Sequence, residues 1–136
     1  MIGAGERGYA AYGPYALDHP DELRFVAVAE PVEARRERFA AAHTISPEAQ
    51  FSSWDELLAG DRMADAALIC TMDQMHADPA VAAMRAGYDV LLEKPLGTTQ
   101  HDCARVVQVA EGTGRLPHGC HVLRYTSFFS NLHDIV

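Results

Sequence analysis

The chain has 136 residues and a formal net charge of −8, so by length it is one domain able to bury roughly two-thirds of its unfolded surface. Its 11 Lys and Arg against 19 Asp and Glu form no basic stripe for a nucleic-acid backbone, and no apolar run approaches the ~20 residues of a membrane helix. Cys70, Cys103 and Cys120 are odd in number and scattered through apolar contexts, so buried thiols in a reducing cytoplasm are expected rather than a disulfide framework.

Ile2 leads into Gly3-Ala4-Gly5-Glu6-Arg7-Gly8, a G-x-G-x-x-G loop. Gly3 suits the tight turn out of a strand, Gly5 the approach of a pyrophosphate to the backbone, and Gly8 close packing of the next helix on a sheet. That helix, from Tyr9 to Leu17, is interrupted by Gly13-Pro14, where a kink or restart is expected because proline lacks a donor and clashes with the preceding turn. After a turn at Asp18-His19-Pro20-Asp21, the continuous apolar run Phe25 to Ala29 reads as a strand of a parallel sheet covered on both faces. Pro31 opens a helix from Val32 to His43. Ser53 and Glu56 match a capping box and Gly60 closes the short helix they start.

Ala66 to Cys70 is the next buried strand, ending in the loop Thr71 to His76. Asp78 and Pro79 are expected to cap and start a helix that stops at Gly87, and Tyr88 to Leu92 is a further strand whose end is Glu93-Lys94-Pro95. Thr99 with Asp102 predicts another capped helix, to about Gly112, followed by a strand over Gly119 to Leu123 and a helix from Ser127 to Val136. Alternating apolar runs and helices predict an α/β fold: a Rossmann-type, doubly wound parallel sheet with right-handed crossovers. Its first strand would be largely missing, since only Met1 and Ile2 precede Gly3, and that loss is expected to leave two neighbouring edges exposed.

Glu30 ends the second strand about 20 residues past Gly8, where dinucleotide-binding units place a carboxylate for the ribose hydroxyls. A carboxylate there repels a 2′-phosphate, which favours NAD over NADP, although Arg35 or Arg36 could soften the preference. Lys94, at a strand end beside a bound dinucleotide, could donate to a substrate hydroxyl or carbonyl as hydride moves. His118, Cys120 and His121 do not read as a metal site, because strand alternation puts His121 on the opposite face from the other two.

The glycine loop, Val26 to Pro31, His76, Ala86 to Leu96 with its Ala-Gly-x-x-Val-x-x-Glu-Lys-Pro pattern, and His121-Val122-Leu123-Arg124-Tyr125 together resemble the nucleotide-binding half of the glucose–fructose oxidoreductase, inositol dehydrogenase and rhizopine-catabolism (Gfo/Idh/MocA) oxidoreductases. The resemblance implies a catalytic role for Lys94 in contact with substrate, and a cofactor site drawn from Gly3, Ala4, Gly5, Arg7, Gly8, Glu30, Thr71, His76 and Glu93, with a cis Lys94-Pro95 bond. It also implies NAD as cofactor, a sugar- or polyol-like substrate, and a second, substrate-binding domain that is absent here, so that residues 1–136 are an NAD(P)-binding portion of a two-domain protein. Met72 departs from the family, where proline is usual.

Two functions compete: an NAD-dependent oxidoreductase, and a non-catalytic dinucleotide-binding module that lacks a proton acceptor and substrate domain. A methyltransferase shares the glycine loop, but nothing in that fold needs Glu93-Lys94-Pro95. Surface left bare by a missing strand and domain favours a homo-oligomer.

Overall fold

The computed structural model describes residues 1–135. Its strands are β1 (Val28–Ala29), β2 (Gln50–Phe51), β3 (Ala66–Ile69), β4 (Asp89–Glu93) and β5 (Pro117–Cys120), and every pairing is parallel. β1 pairs with β2, and β3, β4 and β5 pair in that order. The two groups are joined through Ile2, which bridges Ala29 on one side and Ile69 on the other. Counting the Met1–Gly3 segment as the first strand gives the doubly wound order 3-2-1-4-5-6.

The first strand is short, but the edges beside it, expected to be exposed, are not bare. Ile2 N donates to Leu68 O at 2.8 Å, Cys70 N to Ile2 O at 2.8 Å, Ala29 N to Met1 O at 2.9 Å and Gly3 N to Ala29 O at 2.9 Å. Three residues thus pair both neighbours along the stretch that carries the ligand-binding end of the sheet. Below Met1 the pairing stops. A slot of about 150 Å³ remains there between Phe25–Ala27 and Ala66–Leu68, floored by Tyr88 and Leu91. This is also why β1 is shorter than the apolar run Phe25 to Ala29: Phe25 and Val26 have no strand beside them, and Ala27 O meets only the Met1 amino group, at 2.9 Å.

The helix after the glycine loop begins at Arg7 as a π turn (Arg7–Tyr12) and continues as α1 (Gly13–Asp18). Of the kink or restart expected at Gly13-Pro14, the structure has the restart: the π turn closes with Gly13 N donating to Gly8 O, five residues back, and α1 begins at Gly13 with Pro14 in its first turn. Widening the turn relieves the clash a proline ring makes with the carbonyl four residues before it. α2 (Glu33–His43) packs on this helix through Phe39, whose ring meets those of Tyr9, Phe25 and His43 at centroid distances of 4.4 to 6.5 Å.

α3 (Trp54–Ala59) is capped by the Ser53 hydroxyl, which accepts from Glu56 N at 3.4 Å. The return bond of the expected capping box falls one residue early: Glu56 Oε2 accepts from Ser52 N at 3.1 Å. α4 (Ala77–Arg85) starts before the expected Asp78-Pro79 cap, with His76 at its N-cap position. Pro79 fits inside the first turn because that amide has no helical partner, and Asp78 instead pairs with Arg105 at 2.8 Å, tying α4 to α5 (Gln100–Thr113).

The Thr99 hydroxyl caps α5, accepting from Asp102 N at 3.1 Å. Thr99→Ala is expected to lower stability by about 1 kcal/mol in urea unfolding, as an unreplaced N-cap does; an unchanged midpoint would remove the cap from the account.

β5 lies two residues earlier than the expected Gly119–Leu123. It pairs only as far as β4 extends, Glu93 opposite Cys120, and beyond that Val122–Tyr125 winds into a 3-10 turn. α6 (Ser127–Ile135) follows with Phe128, Phe129, Leu132 and Ile135 exposed; Val136, where the sequence reading ends this helix, lies outside the described residues. The core is centred on the sheet, where Val28, Ile69, Val90 and Leu92 are buried between helices. No helix among the described residues is long and apolar enough to cross a membrane.

Candidate functional site

The glycine loop follows the first strand, the Thr71–His76 loop follows β3 and Lys94-Pro95 follows β4, so all three stand at carboxyl ends of strands in one parallel sheet. Gly3 turns out of the first strand with φ +87°, and a Cβ there would lie 2.7 Å from Cys70 O. At Gly8 a Cβ would lie 2.3 Å from Gly3 O, so the helix sits against the loop that precedes it. Gly5 is different: an added Cβ meets nothing within 4 Å. Gly3 and Gly8 are thus required by contacts inside the protein, and Gly5 faces open space.

Glu30 is buried at the end of β1, 4% exposed, and organises the loop beside it. Its Oε2 accepts from Ala4 N at 2.9 Å and its Oε1 from Val32 N at 3.0 Å. A carboxylate has about four lone-pair sites, so both oxygens keep acceptor capacity for a further donor. Arg36 turns inward and donates to Glu30 O at 2.7 Å, whereas Arg35 lines the cleft in front of Glu30.

That cleft, about 500 Å³, is walled by Gly3, Gly5, Glu30, Trp54, Thr71 and Met75. In the helix beginning at Arg7 the Tyr9 amide already donates to Gly5 O at 2.8 Å, and the amides ahead of it, which have no carbonyl a helical turn before them, make this end of the cleft favourable for an anion. Cys70 also faces it, but burial pushes its thiol up to about 12, with the Glu93 charge adding to the effect, so it is an inert protonated thiol at neutral pH.

Thr71 Oγ1 donates to Met75 O at 3.1 Å, closing the β3–α4 loop on itself. His76 is 1% exposed; its Nδ1 lies 2.6 Å from Pro95 O and its Nε2 3.1 Å from Thr71 O. It therefore clamps two loops together and does not face the cleft. The Lys94-Pro95 bond is cis.

Glu93 is 4% exposed and receives three donors: Arg7 Nε at 2.6 Å and Tyr12 Oη at 2.6 Å on Oε1, and Lys94 N at 3.1 Å on Oε2. Burial alone would push its carboxyl up. Hydrogen bonds from Tyr12, Arg7 and the Lys94 amide outweigh that and hold it below the usual carboxylate range, so Glu93 is an anion at neutral pH.

Lys94 itself is exposed and belongs to a second cleft of about 250 Å³, with Cys120, His121, Leu123 and Arg124 around it. Of the expected residues, Gly3, Gly5, Glu30 and Thr71 thus line one cleft and Lys94 a second, while Ala4, Arg7, Gly8, His76 and Glu93 line neither. Tyr12 went unforeseen, because a residue five places from Arg7 does not share its face in an α-helix. Trp54 and Arg124 were not assigned to the site either, since only the sheet brings them to its clefts. Among the described residues no three potential metal ligands gather.

A cleft bounded by a glycine turn, an unobstructed Gly5 and a carboxylate at the end of the second strand has the shape and donor set for a dinucleotide. Comparison with known proteins agrees. The model of the Gfo/Idh/MocA oxidoreductase family, NAD-binding Rossmann fold, matches residues 1–120. The chain is similar to 4-carboxy-2-hydroxymuconate-6-semialdehyde dehydrogenase of Sphingobium sp., 31% identical over 93% of this chain and 40% of the relative. It is similar to inositol 2-dehydrogenase of Salmonella typhimurium, 32% identical over 95% of this chain and 40% of the relative. In fold it resembles the WlbA dehydrogenase from Bordetella pertussis, solved with NADH and UDP-GlcNAcA, at a TM-score of 0.87 and 23% identity over 98% of this chain and 39% of that one. It spans about two-fifths of the length of these two relatives. With the glycine turn, the Glu30 carboxylate and the Glu93-Lys94-Pro95 strand end all in place, the chain belongs to the Gfo/Idh/MocA oxidoreductases and carries their NAD-binding Rossmann fold.

Proposed function

We propose that this chain is the cofactor-binding portion of a two-domain oxidoreductase that moves hydride between NAD and a hydroxyl or carbonyl of a sugar- or polyol-like substrate. The observation that carries the reading is Glu30, buried with its carboxylate bonded to the glycine loop and lining the same cleft as Gly5. In this reading the adenosine ribose meets Glu30, the pyrophosphate crosses Gly5 and the helix start at Arg7, and the nicotinamide end reaches the cleft at Lys94. NAD held there would supply the hydride acceptor.

Lys94 takes the hydroxyl proton on Nζ in the oxidising direction and returns it in the reducing one. Thr71 and His76 keep the loop between the clefts closed, and Glu93 keeps the turn beneath Lys94 in place. The polyol assignment is supported by the inositol dehydrogenases among the relatives. As an isolated chain the protein is expected to bind NAD without turnover, since the Lys94 cleft is walled on this chain only by residues around β5 and the turn after it. The exposed apolar face of α6 would favour self-association of the isolated chain.

The test is calorimetric titration of the chain with NAD and NADP. Saturable NAD binding is expected, weaker binding of NADP, and a loss of about tenfold or more with Glu30→Ala, the size of a charged hydrogen bond. Absence of saturation up to millimolar NAD, or a Glu30→Ala chain that binds as well as the parent, would sink the proposal.

A further inference from the structure

Arg7, Tyr12 and Glu93 make a connection that neither cleft requires. None of the three lines the glycine-loop cleft or the Lys94 cleft, yet they join the helix of one loop to the strand end of the other. On an α-helix, residues five apart point about 140° from one another and could not meet on one atom. The wider π turn Arg7–Tyr12 brings residues five apart toward one face. The Arg7 guanidinium carbon then lies 5.6 Å from the centre of the Tyr12 ring, and both side chains end on Glu93 Oε1 at 2.6 Å.

The other carboxylate oxygen accepts from the amide of Lys94. On the far side of the same turn, Pro95 O is held by the buried ring of His76. The peptide that carries Lys94 is therefore gripped on both flanks while its side chain stays exposed. The phenol supports this arrangement as a lasting donor: burial pushes it up first, and its neighbours Cys120 and Glu93 push it further.

We propose that Arg7, Tyr12 and Glu93 form a strut that fixes the Lys94 turn relative to the glycine loop, making Arg7 and Tyr12 positioning residues for Lys94. The π turn is the device that makes the strut possible, because an α-helical register would turn Tyr12 away from Glu93. The role assigned to Lys94 rests on the function proposed above; the strut adds how the dinucleotide-binding loop and the proton-handling group are held in one frame.

Lys94 is the only lysine in the sequence, which gives a direct readout. Reductive methylation with 13C-formaldehyde labels Lys94, the Met1 amine being buried against Ala27 O, and the single dimethyl-lysine signal is followed by NMR at saturating NAD or at saturating AMP. NAD, and not AMP, is expected to move the signal in the parent chain. In Tyr12→Phe, folded by circular dichroism and again compared at saturation, the NAD-induced movement is expected to fall by at least half.

Should Tyr12→Phe fail to fold, Arg7→Met reads the same strut at a side chain that is 44% exposed. A folded variant with the full NAD-induced movement, whatever its change in affinity or melting temperature, would overturn the strut and leave a packing role only. A parent chain that binds both nucleotides with no movement at Lys94 would remove the nicotinamide-side role of Lys94, and the strut with it; that failure shows in the parent, the other only in the variant.

Discussion

A methyl group added at Gly8 is expected to destabilise the chain by about 3 kcal/mol or more, at the upper end of overpacking penalties, because the atom it meets cannot move aside. The new Cβ would lie 2.3 Å from Gly3 O, a backbone oxygen whose own residue is fixed by the bond from Gly3 N to Ala29 O. The informative comparison is Gly5→Ala. At Gly5 a Cβ meets nothing within 4 Å, so folding is expected to be unchanged within about 0.5 kcal/mol, an ordinary surface substitution.

NAD affinity at Gly5→Ala, in contrast, should fall, because the methyl group occupies the approach of the pyrophosphate. Urea midpoints and NAD titrations of the two variants check both statements. A Gly5→Ala chain that is stable and still binds NAD as the parent does would show that the pyrophosphate lies elsewhere.

Stability is also expected to decline steeply between pH 8 and pH 5. The Met1 amino group is buried, and desolvation lowers it from 8.0 to about 5, against a small opposing pull from Cys70. The unfolded chain takes up this proton near pH 8 while the folded chain resists until about pH 5. Over that window falling pH favours unfolding by about 1.4 kcal/mol per unit, in total about 4 kcal/mol. Above pH 8 both states are neutral and the effect vanishes. His43, held below its ordinary value mainly by burial, adds a loss of the same sign at the acid end. The lowered Glu93 carboxyl contributes stability that disappears only as pH falls below the usual carboxylate range, outside this window.

Urea unfolding at pH 8.5, 7 and 5.5 measures the slope, and Nα-acetylation, which removes the titrating amine but keeps an N–H for Ala27 O, should flatten the part above His43. A stability that is flat from pH 8.5 to 7 in the unmodified chain would place the amino terminus in water.

The local signals were read well from the sequence, and for stated reasons. Apolar runs bounded by polar turns located β3 and β4, whose burial on both faces removes any need for alternation. The Ser53 and Thr99 caps and the stops at Gly60 and Gly87 depend on one or two residues each; the helix expected to end at about Gly112 runs on to Thr113 and closes at Gly114. The helix at Ala77 came earlier than its apparent cap because Asp78 had a better partner in Arg105, on a helix the local sequence does not show. β5 was placed too late because a strand ends where its neighbour ends, and β4 ends at Glu93.

The sequence by itself determined the glycine loop, the carboxylate at Glu30, the Glu93-Lys94-Pro95 strand end and the alternation that makes a parallel sheet. These follow from backbone freedom, charge and periodicity over short stretches, which residue order alone sets. Tertiary structure decided what those parts touch. Three residues sufficed for a first strand because both neighbouring edges supply its partners, Lys94 came to line a different cleft from Gly5 and Glu30, and Glu93 became a buried anion because a π turn brought Arg7 and Tyr12 onto one oxygen. Contacts of that kind join residues some 80 positions apart, and no spacing rule reaches so far: the distance is closed only when the sheet has formed.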